Sequence, residues 1–357
     1  MIELNMANTL NSEANKRILL LDGAMGTMIQ NQKLTEKDYR NTIFKNHKID
    51  LKGNNDILNI TQPELIKNIH EEFLTAGADI ILTNTFNGTS ISQSDYSMEN
   101  HVYEINLSAA KIARQAVNKF SSAELPRFVA GSLGPTNKTA SISPDVEDPG
   151  YRAIEYDDLV IAYKEQASAL LDGGVDIFLI ETVFDTLNAK AAISAIFQIA
   201  DETEIVLPIM ISGTITDLSG RTLTGQTPEA FLHSIRHAKP FSIGLNCALG
   251  PGHMRPFIDE LSRTADTHIC AYPNAGLPNE FGEYDETPEI TAEHLGEWAD
   301  AGLINIIGGC CGTTPAHISE IAKAISGKPP RKIPKFEKQM RLSGLEALIV
   351  RLSLIHI

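Results

Sequence analysis

Cysteine is scarce in this chain: four residues in 357, at positions 247, 270, 310 and 311. So few in so long a chain make no disulfide framework. No apolar run approaches the roughly 18 residues that a membrane span needs. Residues 1–17 are polar and lack the apolar stretch of a secretory signal, so the reducing cytoplasm is the expected compartment. Basic charge is also short: 30 Lys and Arg stand against 45 Asp and Glu, a formal net charge of −15, and no Lys/Arg run stands out. That balance argues against nucleic acid or an anionic membrane surface as the main partner. Ten histidines are present, but none at the spacing of a His-Glu-x-x-His metal site. His70, His233, His237 and His294 fall in helical segments and read as surface or packing residues.

What the chain does have is a repeating pattern. Short apolar runs recur at 17–21, 79–82, 127–130, 176–180, 207–211, 241–245, 268–272 and 303–307. Helical segments follow at 63–76, 100–119, 156–171, 186–200, 228–238, 251–265, 288–301 and 315–325. The runs are continuously apolar rather than alternating, as parallel strands buried on both faces should be. Six such strands would suit a doubly wound sheet; eight that close on themselves give a single α/β domain, a (β/α)8 TIM-type barrel, over residues 17–327. Residues 1–16 are expected to be a flexible start and 31–59 irregular. Residues 328–340, rich in Lys and Pro, read as an inter-domain linker.

Polar or glycine-rich residues end every apolar run, and in a barrel those ends converge on one face. The eighth run ends in Gly308-Gly309-Cys310-Cys311-Gly312. A vicinal disulfide needs a strained ring, and one buried thiol packs as well as two. Two thiolates offered to one soft metal ion explain the pair better than buried packing does. Cys247, ending the sixth run, supplies a third sulfur on the same face. Zn²⁺ suits such ligands, and three protein ligands leave the fourth position open, the mark of a catalytic site. Taken alone, Cys247 would read as a buried thiol, and Cys270, in mid-strand, reads as core.

Asp22 and Glu181 end the first and fourth runs. Together they offer a place for an ammonium group, although Asp22-Gly23 is also a common turn pair. The turn Gly23-Ala24-Met25-Gly26-Thr27 offers backbone N–H groups to a carboxylate. Beside a zinc, these features suggest an amino-acid substrate. Asn274, ending the seventh run, is either a turn residue or the source of a carboxamide oxygen for the open zinc position. The polar loop 141–150 is either a lid over the barrel mouth or a plain insertion.

Several segments then match a known family. Leu21-Asp22-Gly23-Ala24-Met25-Gly26-Thr27, Lys52-Gly53-Asn54-Asn55-Asp56, Thr83-Asn84-Thr85-Phe86, Leu133-Gly134-Pro135-Thr136 and Ser143-Pro144-Asp145-Val146 resemble the N-terminal module of cobalamin-dependent methionine synthase. So do Ile180-Glu181-Thr182, Leu245-Asn246-Cys247-Ala248-Leu249-Gly250, Pro273-Asn274-Ala275-Gly276 and Gly308-Gly309-Cys310-Cys311-Gly312. The likeness runs from about 17 to 348. The wider homocysteine methyltransferase family, which includes betaine-dependent enzymes, shares the cysteines, whereas the loops resemble the methionine synthase module.

The resemblance implies Zn²⁺ on Cys247, Cys310 and Cys311, with the homocysteine sulfur as fourth ligand and Asn274 in its place at rest. It implies the substrate ammonium near Asp22 and Glu181, and the carboxylate near the Gly23-Ala24 backbone. The methyl donor it implies is methylcobalamin, carried by a separate cobalamin-binding module beside a folate-binding one. Residues 341–348 resemble the start of that next module, and 349–357 depart from the family, as a truncation or artefact would. The alternative is a free-standing methyltransferase that uses betaine or S-methylmethionine.

Overall fold

The computed structural model describes residues 2–216 and 219–350. The eight apolar runs form eight short parallel strands: β1 Leu19–Leu20, β2 Ile80–Leu82, β3 Phe128–Leu133, β4 Ile177–Val183, β5 Ile209–Gly213, β6 Ser242–Asn246, β7 His268–Tyr272 and β8 Ile306–Ile307. They pair in the order β1-β8-β7-β6-β5-β4-β3-β2. A bridge between Leu21 and Ile80 joins the two ends of that order. There Asp22 N donates to Ile80 O at 3.0 Å and Asp79 N to Leu20 O at 2.7 Å. The sheet is a closed ring, the (β/α)8 barrel expected.

Burial on both faces explains the continuous apolar runs. Leu19, Ile80, Phe128, Ile177, Leu179, Met210 and Ile306 fill the interior of the ring, and Cys270 packs among them. Their neighbours Leu20, Ile81, Val129, Phe178, Ile180, Ile211, Ile243 and Ile307 face outward into the helices. The eight main helices are Pro63–Thr75, Val102–Phe120, Tyr156–Asp172, Thr186–Thr203, Pro228–Ile235, Pro251–Thr264, Pro288–Asp300 and Pro315–Ile325. Five of them open with proline at the first turn, where a missing amide costs no hydrogen bond. His70 and His233 are buried in this outer layer, and His237 and His294 are exposed.

Three stretches carry structure that the sequence did not define. Ile2–Lys16 is a helix, and Met6, Leu10 and Ala14 face the barrel-interior cluster from it. That stripe of one apolar residue per turn is too narrow for periodicity alone to reveal. Residues 31–59 are not irregular throughout. Glu36–Arg40 is helical, and the Glu36 carboxylate accepts the amides of Leu51, at 2.9 Å, and Lys52, at 2.6 Å. The stretch read as a linker is pinned at Arg331, whose amide donates to Ile304 O at 2.9 Å. Its buried guanidinium donates to the carbonyls of Ser262, Ala265 and Thr267.

Beyond it, β9 Met340–Ser343 and β10 Ala347–Val350 form an antiparallel hairpin. The hairpin rests on the helix Pro228–Ile235 through Ser343 Oγ, which donates to Ala230 O at 2.6 Å. Ile349 and Val350 belong to β10, and the rest of the 349–357 tail lies outside the described residues.

Candidate metal centre and substrate cleft

The ends of β6 and β8 bring three sulfurs together. The Sγ atoms of Cys247, Cys310 and Cys311 all lie within 4.8 Å of one another, and Cys247 and Cys311 are 3.8 Å apart. Zn–S bonds of about 2.3 Å in tetrahedral geometry set sulfurs about 3.8 Å apart, so the donors fit such an ion in spacing and in chemistry. The glycines around the pair make room for it. A side chain on Gly308 would strike Leu21 Cβ and lie 2.9 Å from Asp22 O. With none there, the chain runs against β1 and Gly309 N donates to Asp22 O at 3.2 Å. Cys247 and Ala248 leave β6 with φ of 59° and 56°, a left-handed backbone that non-glycine residues seldom adopt.

The sulfurs share their protons unequally. Cys311 is pulled down by its neighbours Cys247 and Cys310. Cys310 is pushed well up, through its bonds to Cys247 and Cys311 and through burial.

Glu181 and Asp22 face the same cavity, a cleft of about 1000 Å³ that Cys247, Cys310, Cys311, Gly23 and Ala24 also line. Both carboxylates are buried, and among the described residues no Lys, Arg or His forms an ion pair with either. Ser132 Oγ donates to Glu181 Oε1, and the Tyr272 hydroxyl to Oε2 at 3.3 Å. Leu82 N donates to Asp22 Oδ2 at 2.9 Å. Burial pushes Glu181 up to about 7, against the pull of those hydroxyls. It pushes Asp22 well above the usual carboxylate range, and the neighbouring charge of Glu181 adds to the effect. Asp56, which also lines the cleft and is buried, is pushed up to about 7 by burial, so three acids without a cation among the described residues share the cleft with a cluster of soft ligands.

Some assignments shift at atomic detail. The Ala24 amide donates to Thr313 O at 3.0 Å, so that N–H is already used. Asn274 is buried behind the cluster, where its Oδ1 accepts the Cys311 amide at 3.1 Å. None of residues 137–152 is among those that line the cleft; residues 282–285 are. Ser141 Oγ bonds instead to Asp185, and Arg152 Nε to Ala140 O at 2.9 Å.

From that second loop comes a residue with no signal in the sequence, Tyr284, which lines the cleft beside the cluster and helps to hold the Cys311 thiol down. Gly312, at φ 81°, permits the approach, since a side chain there would collide with Tyr284 Cβ. His317 ties the same loop down: its Nε2 bonds Glu286 O at 2.9 Å and its Nδ1 bonds Thr314 Oγ1 at 2.9 Å.

The sequence matches the homocysteine S-methyltransferase family over residues 19–325, the whole barrel from β1 to its last helix. The chain belongs to that family. Among solved structures it is similar to the homocysteine methyltransferase MmuM from Escherichia coli. The metallated form matches at 22% identity and a TM-score of 0.69, covering 89% of this chain and 99% of that one. The oxidized form matches at 21% identity and a TM-score of 0.68, covering 90% and 99%. At that identity the likeness speaks for the barrel, and the family match speaks for membership. Among the described residues no helix is long and apolar enough to cross a membrane.

Proposed function

We propose that this barrel is the homocysteine-activating module of a cobalamin-dependent methionine synthase. The observation that carries the homocysteine part is the single cleft in which three convergent sulfurs lie with three buried carboxylates, Asp22, Asp56 and Glu181, that have no cation among the described residues. The family match supports it. The cobalamin part rests on the loop segments that resemble the synthase module, of which Asn55-Asp56 and Thr83-Asn84-Thr85-Phe86 line this same cleft.

In this reading Cys247, Cys310 and Cys311 hold zinc, which when bound supplies a Lewis acid that favours the thiolate over the thiol. Metallated MmuM is consistent with a metal on this fold. Asp22 and Glu181 take the substrate ammonium, and the Gly23–Thr27 turn, less its Ala24 amide, faces the carboxylate. Asn274 holds the Cys310–Cys311 turn in place, and its second lone pair is the proposed resting ligand. The thiol proton leaves to solvent, the methyl group forms its new bond to sulfur, and the bonding pair it left stays with the donor, giving methionine. A reducing, cytoplasmic setting would keep the three thiols available.

A second reading is a free-standing methyltransferase that takes its methyl group from S-methylmethionine or betaine. It is favoured by the extent of the MmuM match, which spans 99% of that chain. One experiment separates the two. Zinc-loaded protein is given homocysteine with methylcobalamin, S-methylmethionine or betaine in turn, and methionine is measured, with Cys310→Ala as control. Zinc-dependent turnover with methylcobalamin alone supports the synthase module. Turnover only with a sulfonium or ammonium donor overturns it in favour of the second reading.

A further inference from the structure

Homocysteine and cysteine carry the same ammonium, carboxylate and thiol and differ by one methylene. A site that holds both ends of the molecule can tell them apart only if the distance between its two ends is fixed. In this chain those ends are Glu181, on β4, and Cys247, just after β6, with β5 between them.

The pairing of β4 with β5 slips at this point. Ile180 pairs with Ile211 and Val183 with Gly213, so Glu181 and Thr182 together oppose the single residue Ser212. Such a bulge re-aims the side chain it carries. Thr182 sits at φ 54°, which is strained for a β-branched residue. The group that holds the bulge comes from β6. Asn246, fully buried, accepts the Thr182 amide at 3.0 Å and the Ser212 hydroxyl at 2.7 Å on Oδ1, and its Nδ2 donates to Thr182 Oγ1 at 2.8 Å. One carboxamide therefore spans three strands. Its two chain contacts of consequence are Thr182, which follows Glu181, and Cys247, which follows Asn246 itself.

We propose that Asn246 is a positioning residue that sets the span from the Glu181 carboxylate to the sulfur cluster and so selects homocysteine over cysteine. The inference rests on the homocysteine reading above. Asn246 need not touch substrate; it acts by fixing the bulge that aims Glu181.

The test is calorimetric binding of homocysteine and of cysteine to zinc-loaded wild-type protein, Asn246→Ala, Thr182→Ala and the double variant Asn246→Ala/Thr182→Gly, with zinc content measured on each. One methylene is worth about 10- to 200-fold in a fitted site. Asn246→Ala is expected to weaken homocysteine binding about tenfold and to narrow the preference over cysteine by a similar factor, with zinc retained. Thr182→Ala, which keeps Asn246 but loses Oγ1, is expected to do the same about threefold. Thr182→Gly in the Asn246→Ala background is expected to recover part of the preference, because glycine takes a positive φ without help.

An unchanged preference in Asn246→Ala overturns the proposal, as does loss of zinc there, which would make Asn246 a support of the metal loop alone. If Asn246→Ala does not fold, an unchanged preference in Thr182→Ala overturns it equally. Wild-type zinc protein that binds neither amino acid would sink the homocysteine reading itself, a different failure from any seen only in the variants.

Discussion

The two ends of the barrel bury carboxylates in opposite ways. At the foot, Asp79 lies between two guanidiniums: Arg17 Nη1 is 2.6 Å from Oδ2, and Arg127 pairs with Oδ1. The Leu20 amide completes the set at 2.9 Å. At the mouth, Asp22 and Glu181 are as deeply buried, yet receive only hydroxyl and amide donors. The foot supplies its own cations and is finished as folded. The mouth gives its acids no cation, and burial raises both Glu181 and Asp22; in the proposed reading an incoming ammonium supplies the missing counter-charge.

That contrast can be broken experimentally, beginning with the largest effect. Removing a sulfur at the mouth by Cys310→Ala should lower zinc from one per chain to near none and cut methyl transfer at least ~1000-fold, ~4 kcal/mol in the barrier. Metal analysis and a methionine assay check it, and near-normal thermal unfolding is expected alongside. At the foot, Asp79→Asn should do the reverse. It leaves Arg127 buried without its counter-charge and should cost about 3 kcal/mol of stability in a denaturant titration. Homocysteine affinity per folded molecule should stay the same.

Glu181→Gln keeps an acceptor for Ser132 and Tyr272 but no charge. It should weaken homocysteine binding about 30-fold, ~2 kcal/mol, without lowering stability, and a destabilised variant would show that the two ends are more alike than argued. Acidity should act through the same group. Because Glu181 sits near 7, its share of homocysteine binding should weaken about tenfold for each pH unit below 7 as the carboxylate is protonated, a dependence that Glu181→Gln should remove while leaving that of thiol deprotonation. For the protein without ligand the sign reverses. A raised folded pKa favours the protonated acid, so its contribution to stability is fully present below the ordinary 4.5 and is lost as pH rises through about 7. Melting curves with and without homocysteine between pH 5 and 8 should therefore diverge upward. The smallest effect belongs to Tyr284→Phe, which removes the hydroxyl that helps to hold Cys311 down and should weaken metal retention about threefold in a chelator competition.

Much of this was legible along the chain because the relevant patterns are short. Strand runs of four or five apolar residues, each followed by a helix-length amphipathic stretch, are local, and the observed strands depart from them by only a few residues. The convergence of Cys247 with Cys310 and Cys311 followed from topology alone, since parallel strands in a ring deliver their carboxyl ends to one face. The capping helix Ile2–Lys16 escaped notice because its buried stripe is one residue wide. Tyr284 escaped because it lies in a loop with no periodicity, held by His317 from a distant helix.

What the sequence by itself determined is therefore the barrel, the face that carries the chemistry and the residues that end its strands. Tertiary structure alone decided which polar atoms remain free. Asp79 and Asp22 both stand next to apolar strand residues, and nothing local tells that one meets two arginines and the other none. The Asn274 oxygen is turned to the Cys311 amide, the Ala24 amide to Thr313, and the Asn246 carboxamide to a bulge two strands away. The physical reason is range. A backbone adopts helix or strand from neighbours within a few residues, whereas the partner of a buried polar group is fixed by whichever distant segment packing brings within 3 Å of it.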